Sequence, residues 1–411
     1  MPNNGSIAIW CVPKANSIPI EIEAHFNYWR LTGDRSFSKR RFSGSPVKDF
    51  IEIGVLIDDI QQIDSLCLYM PMTIEREQVS DCSVKLASAE FAQGIFNEVI
   101  TVTAPAPGGP QCVVLHDQGN AIFTRVHCFT PGPSGLDATE LALAIQNDGT
   151  VITIMPAAIQ GACGHAPPAK TYFRLRIYLG AGKKSNPFVK IIRPVDQRFQ
   201  SGYDEIEYID FRMNEARTLP PAIEQRMRAD RLKGGAVAFR LVAFLTAVPV
   251  HSELSVSNTP SHKMRLLEPV WNGYVPSGIP KGMVVYHWKK LPEALKPIAD
   301  FSAFVKLQTR RTSRKILWTY LVIAFAIGLL GNWTAELISD GFKSLRAQPA
   351  IEQPRRALPA TQPRERVLPP ASANSISPPL PSPSAPAQNQ LAPPAPTPAG
   401  GKPADAVGNG M

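Results

Sequence analysis

Residues 171–179 read TYFRLRIYL, and their alternation decides the fold class. Side chains of an extended chain point to opposite faces in turn, so Phe173, Leu175 and Ile177 share one side and Arg174 and Arg176 the other. One apolar and one polar face predicts a half-buried strand of an antiparallel sheet. Strands of a doubly wound parallel sheet are covered on both faces and read as continuous apolar runs instead.

The same signal recurs on both sides of this stretch. Short β-prone runs at 6–12, 18–23, 49–57, 65–70, 150–155, 205–211, 236–248 and 283–288 predict strands. Runs 111–116 and 121–129 flank Asp117-Gln118-Gly119-Asn120, a hairpin turn sequence. Residues 188–193 are expected to pair with 171–179. Helices are fewer: 88–98 behind a Ser88 cap, and 222–232 behind Pro220-Pro221, where proline suits a helix start. The reading is a mainly β (α+β) chain, with an antiparallel, sandwich-like domain over 1–290 and a subdomain seam near 104–110 (APAPGGP).

Beyond that domain, 316–333 (ILWTYLVIAFAIGLLGNW) holds eighteen residues without a charge. At about 1.5 Å per residue it spans roughly 27 Å, which predicts a single transmembrane helix. Trp318 and Tyr320 near one end and Trp333 at the other suit the headgroup level. The preceding 291–315 is read as a helical, basic juxtamembrane connector that runs into the span. Its cations Lys306, Arg310, Arg311, Arg314 and Lys315 form a collar without an anion, placed to meet anionic lipid. The far flank, 334–346, balances its charges, so the positive-inside rule puts the N-terminal domain in the cytosol and the C-terminus outside. Ala324, Gly328 and Gly331 offer a small-residue face for helix-mediated self-association.

Residues 347–411 contain sixteen of the forty prolines and no aromatic side chain, so they cannot offset chain entropy by burial. They read as a disordered Pro/Ala-rich tail, and Pro378-Pro379-Leu380-Pro381 within it as part of a spacer. Its Ala/Pro/Arg-rich composition points to a bacterial inner membrane. The net charge of +9 does not signal nucleic acid. Five of those charges belong to the collar and two to the tail, leaving +2 on the first 305 residues.

Chemistry is less legible. Gly180 to Ser185 (GAGKKS) lacks the glycine and hydroxyl spacing of a phosphate loop and leads to Pro187, so it reads as a basic hairpin tip. Asp204 and Asp210 share one strand face and Glu205 and Glu207 the other, the pattern of a solvated, salt-bridged sheet. Cys112, His116, Cys163 and His165 are the candidate metal ligands: zinc takes four such donors in a tetrahedron. Cys163-Gly164-His165 also has the residue types of an activated thiol. The wide, irregular spacing of all six cysteines argues against a disulfide framework. No cofactor is expected unless zinc binds that set. The expectation is a membrane-anchored, cytosolic binding, adaptor or sensing module with a protein partner. The alternative is a membrane-tethered hydrolase or metal-dependent enzyme built on the Cys/His residues of 112–165.

Overall fold

The computed structural model describes residues 5–34, 41–42, 45–105, 112–146, 149–163, 170–180, 186–192, 202–258, 263–293, 296–312 and 314–346. The tail 347–411 and the hairpin tip 181–185 lie outside these. Two compact units divide the chain, Met1–Leu337 and Ile338–Met411, and every described strand belongs to the first.

In chain order the strands are β1 (Ala8–Pro13), β2 (Ile20–Trp29), the short β3 (Arg41–Phe42) and β4 (Ser45–Pro46), β5 (Phe50–Ile57), β6 (Ile63–Met70) and β7 (Val79–Asp81). Then follow β8 (Thr101–Thr103), β9 (Cys112–His116), β10 (Ile122–His127), β11 (Pro131–Gly132), β12 (Gly135–Leu136), β13 (Leu141–Gln146), β14 (Gly149–Ile154), β15 (Thr171–Tyr178) and β16 (Val189–Ile192). The last are β17 (Gly202–Met213), β18 (Val237–Pro249), β19 (Ser252–Ser257), β20 (Lys263–Leu266), β21 (Met283–Lys290) and β22 (Phe301–Thr312). The helices are α1 (Ala89–Phe96), α2 (Pro156–Cys163), α3 (Pro221–Arg231) and α4 (Arg314–Arg346).

A ten-stranded sheet forms one layer in the order β20-β21-β18-β2-β5-β15-β10-β9-β8, with β7 also on β15. Two four-stranded sheets, β1-β6-β14-β13 and β16-β17-β22-β19, supply the other. An isolated bridge joins these two at Ile7 and Met213. Between the layers lies the main core, with Ile9, Ile22, Phe26, Ile53, Leu68, Phe173, Phe211, Phe244 and Val305 contributed by all three sheets. The sandwich is therefore the expected one. Its pairing is antiparallel except at β2–β18 and β10–β15, which are parallel. Parallel neighbours need long crossovers, and more than two hundred residues separate β2 from β18 along the chain.

The ten-stranded sheet and the sheet β1-β6-β14-β13 are also covered on the outside. Against β1, β6 and β14, α3 packs Ile223 and Met227 onto Trp10, Tyr69 and Val151, and the Trp10 indole donates to Asp230 at 2.8 Å. On the ten-stranded sheet, a 3-10 turn at Ser83–Ala87 and α1 bury Leu86 and Ala92 against Leu56, Leu115 and Tyr172. A second 3-10 turn, Pro269–Gly273, sets Trp271 and Tyr274 on Trp29 and Phe50. The polar face of β15 is thus enclosed, not half-solvated as its alternation suggests: Arg174 and Arg176 are 0% and 2% exposed.

Two further expectations are corrected. β16 pairs with β17, not with β15. Most of 104–110, the expected subdomain seam, lies outside the described residues; β8 and β9 on either side of it pair with each other, Val102 opposite Leu115. The 291–315 connector is not helical: 301–312 is strand β22, whose Ala303, Val305 and Leu307 enter the core while Lys306 and Arg310 point outward. That period-two pattern extends the β domain past residue 290 to Thr312. Finally, α2 and β13 arise where no element is expected.

Candidate functional site

The junction of domain and apolar helix is the first feature of functional interest. β22 ends at Thr312 and α4 begins at Arg314, with Ser313 alone between them. Of the collar, Lys306 is half-buried and Arg310 exposed on the outer side of β22. Arg311 is the last residue but one of that strand and Arg314 and Lys315 open α4, but their side chains lie outside the described set.

α4 has thirty-three residues, about 50 Å at 1.5 Å per residue. It is long and apolar enough to cross a membrane, and none of its most apolar window is buried in the protein. A core helix of a soluble fold would be covered there. The helix continues past Trp333, so the uncharged run extends to Ala335, twenty residues, or about 30 Å, the thickness of a hydrocarbon core. Just within this run, Thr334 donates back to the carbonyl oxygens of Leu330 and Gly331 at 3.0 Å each, which satisfies its hydroxyl inside the helix. Trp318 and Trp333 are 68% and 71% exposed, and Tyr320 is half-buried. Gly328 and Gly331 face open space.

Two buried ionic nodes lie within the sandwich, and sequence reasoning foresaw neither. The first is on the outer face of the ten-stranded sheet. Register places Arg176 opposite Glu52 and Arg174 opposite Gly54. Arg174 Nη2 donates to Glu52 Oε2 at 2.5 Å, and Arg176 Nη2 to Glu52 Oε1 at 2.7 Å. Tyr274 donates to Glu52 Oε2 at 2.9 Å and accepts from Arg174 Nε at 3.0 Å. Tyr172 accepts from Arg174 Nη1 at 2.9 Å and lies 3.3 Å from His25 Nδ1. Tyr172 leans across Gly54, where a Cβ would stand 1.8 Å from its hydroxyl oxygen. The Arg176 guanidinium covers the Phe50 ring at 4.4 Å.

Burial alone would raise the Glu52 pKa, but the charges of Arg174 and Arg176 and the bonds from Arg176 and Tyr274 outweigh it and hold the carboxyl below its usual range. Burial, helped by the nearby Arg174 charge, pushes the His25 imidazole down to about 3. Cys82, whose thiol donates to Glu52 at 3.8 Å, is driven far up by burial and by that carboxylate. It is a protonated thiol, not a nucleophile.

The second node sits between the layers. Arg30, just beyond β2, bonds Glu207 through Nε and Asp49 and Thr32 through Nη1. The Thr32 amide donates to Asp49 at 2.8 Å, and Asn186 donates to the Tyr28 hydroxyl at 3.0 Å. Burial works against the Arg30 charge, but Asp49 and Glu207 more than restore it. The acidic strand thus divides as its parity requires. Asp204 and Asp210 face solvent, Asp210 paired to Arg212 at 2.6 Å and Asp204 accepting from Gln308 at 3.0 Å. Glu205 and Glu207 point inward and are buried, so only one face is the solvated one expected.

The Cys/His set is not drawn together among the described residues. Cys112 and His116 occupy the two ends of β9, about 13 Å apart at 3.3 Å per residue, too far for one metal ion. Cys112 is buried, and His116 Nε2 lies 3.2 Å from the Thr103 hydroxyl. Cys163 closes α2 with its side chain outside the described set, and His165 lies outside the described residues altogether. Among the described residues no group of three His, Cys, Asp or Glu side chains is placed to hold a metal ion. Two surface clefts, one lined by Glu98, Asp117 and Phe123 and one by Lys14, Asp64 and Gln160, adjoin neither node. No protein-family model matches this sequence, and no curated protein is similar to it.

Proposed function

We propose that this chain is a single-pass, membrane-anchored binding or adaptor module, with its β domain in the cytosol and its tail outside, in a bacterial inner membrane. The observation that carries the reading is the exposed helix, with its uncharged run of twenty residues, joined to a core strand by one residue. Cations gather on the N-terminal side of that helix, Lys306 to Lys315, while the far flank is neutral. Binding is favoured over catalysis because the two buried ionic nodes are each closed on themselves. Glu52, Arg174, Arg176 and Tyr274 close one node, and Arg30, Asp49 and Glu207 the other.

Membranes of cells expressing the full chain, washed with alkaline carbonate, test the anchor: the protein is expected to stay in the pellet. A C-terminal reporter active only outside the cytosol tests its sidedness, and a silent reporter reverses it. The tethered hydrolase becomes the better reading if the detergent-solubilised chain turns over an ester or amide substrate and Cys163→Ala abolishes that turnover.

A further inference from the structure

The sheet β16-β17-β22-β19 has an outward face of mixed charged, aromatic and aliphatic side chains. Register builds it row by row. One row across four strands reads Lys190, Tyr208, Lys306, Val256. The next reads Ile192, Ile206, Gln308, Glu253. Phe304 lies beside the first row and stacks on Tyr208, ring centres 5.6 Å apart, and Arg310 lies beyond the second. Ile192 and Val256 are 42% and 49% exposed. Among the described residues no carboxylate pairs with Lys190, Lys306 or Arg310; Asp204 is engaged by Gln308, and Asp210 by Arg212. The face also carries three carboxylates, Asp204 across from Arg310, Asp210, and Glu253 on the edge strand, so that Lys190, Lys306, Arg310 and Arg212 leave it a small positive excess.

We propose that this face lies flat on the anionic headgroups of the membrane that holds α4. The inference rests on the anchored reading above and adds to it an orientation and a lipid contact. Continuity is the first argument, because β22 passes into α4 across Ser313 alone. Charge placement is the second. Lys306 precedes the end of β22 by six residues, about 20 Å of strand at 3.3 Å per residue. On an upright strand Lys306 would stand well beyond the roughly 8 Å over which surface charge acts in physiological salt. Only a strand lying along the bilayer plane brings Lys190, Lys306 and Arg310 to the headgroups together. The rings and aliphatic groups between them match the composition of surfaces that sink into the interface.

The test uses the full chain reconstituted in phosphatidylcholine vesicles with and without phosphatidylglycerol. An environment-sensitive fluorophore is placed on Ile192→Cys or Val256→Cys, and on Ile122→Cys, an exposed position of the ten-stranded sheet, as the control. Lipids bearing a quencher near the headgroup are expected to extinguish emission at 192 and 256 and not at 122. The loss should shrink without phosphatidylglycerol and in the Lys306→Glu/Arg310→Glu variant. Equal emission at all three positions in vesicles from which carbonate cannot extract the protein overturns the docking and leaves the anchor standing. Extraction by carbonate overturns the anchor, and the docking with it.

Discussion

Arg174 and Glu52 meet at 2.5 Å with neither side chain reached by solvent, although 122 residues separate them in the chain. Arg176 shares the same carboxylate, so one anion holds two guanidinium groups in the interior. Removing the anion leaves two uncompensated charges, whereas removing one arginine leaves a balanced pair. Glu52→Gln is expected to destabilise the domain by about 3–5 kcal/mol, and Arg176→Met by distinctly less. Thermal unfolding of the detergent-solubilised variants measures both; equal losses would mean that the carboxylate does not organise the node.

Gly54 stands beneath Tyr172, and an added Cβ would fall 1.8 Å from the hydroxyl oxygen and 2.5 Å from Cζ. The ring cannot stay in place, and with it go the hydroxyl's contacts to Arg174 and His25. Gly54→Ala should cost about 2 kcal/mol or more, as overpacking does. The cost should shrink in a Tyr172→Leu background, where nothing is left to collide with. A double-mutant cycle reads the difference, and additive effects would place the clash elsewhere.

His25 and Asp81 give stability opposite pH dependences. The folded His25 pKa, about 3, lies below the ordinary value near 6.5, so acidification below pH 6.5 protonates the unfolded chain first and stability is lost. Asp81 accepts from the Ser83 and Phe129 amides at 2.8 and 3.1 Å, yet burial raises it to about 6. Its folded state therefore holds the extra proton between about pH 4 and 6, a contribution lost as pH rises through that window. His25→Gln should gain relative stability on acidification and Asp81→Asn should lose it. Between pH 6.5 and 4 the two variants should separate by on the order of 4 kcal/mol in denaturant titrations. Parallel profiles would refute the assignment.

The five thiols Cys11, Cys67, Cys82, Cys112 and Cys128 are buried and unpaired with one another in disulfides. Burial pushes Cys11 and Cys128 up to about 12. In the native chain, a thiol reagent at neutral pH should modify these five only as fast as the domain opens, leaving at most Cys163 to react promptly. More than one rapid equivalent in a stopped-flow titration would contradict that burial.

The alternation of 171–179 identified a strand and its two faces, but not the fate of the polar one. What covers Arg174 and Arg176 is Tyr274, about a hundred residues downstream, and what neutralises them is Glu52, far upstream. A local pattern carries no information about partners at that separation. The Cys/His set misled in the opposite way: Cys112 and His116 are close in sequence, but an extended strand holds them apart. In 301–312 the alternation was present in the residues. The apolar run that follows favoured continuing a helix backward, and the prolines at 292 and 297 were the signals against it.

β22 is flanked on both sides, by β17 through a twelve-residue ladder and by β19. A strand in that position cannot be peeled from an edge. Tension or torque arriving from α4 first meets Arg310–Thr312, which are laddered to β17 alone, and then Val305–Thr309, which are held by β17 and β19 together. In the anchored reading proposed above, lateral stress in the bilayer would be delivered to an interior strand of the sheet, and a long glycine-serine insert in place of Ser313 would uncouple the two mechanically while leaving both intact.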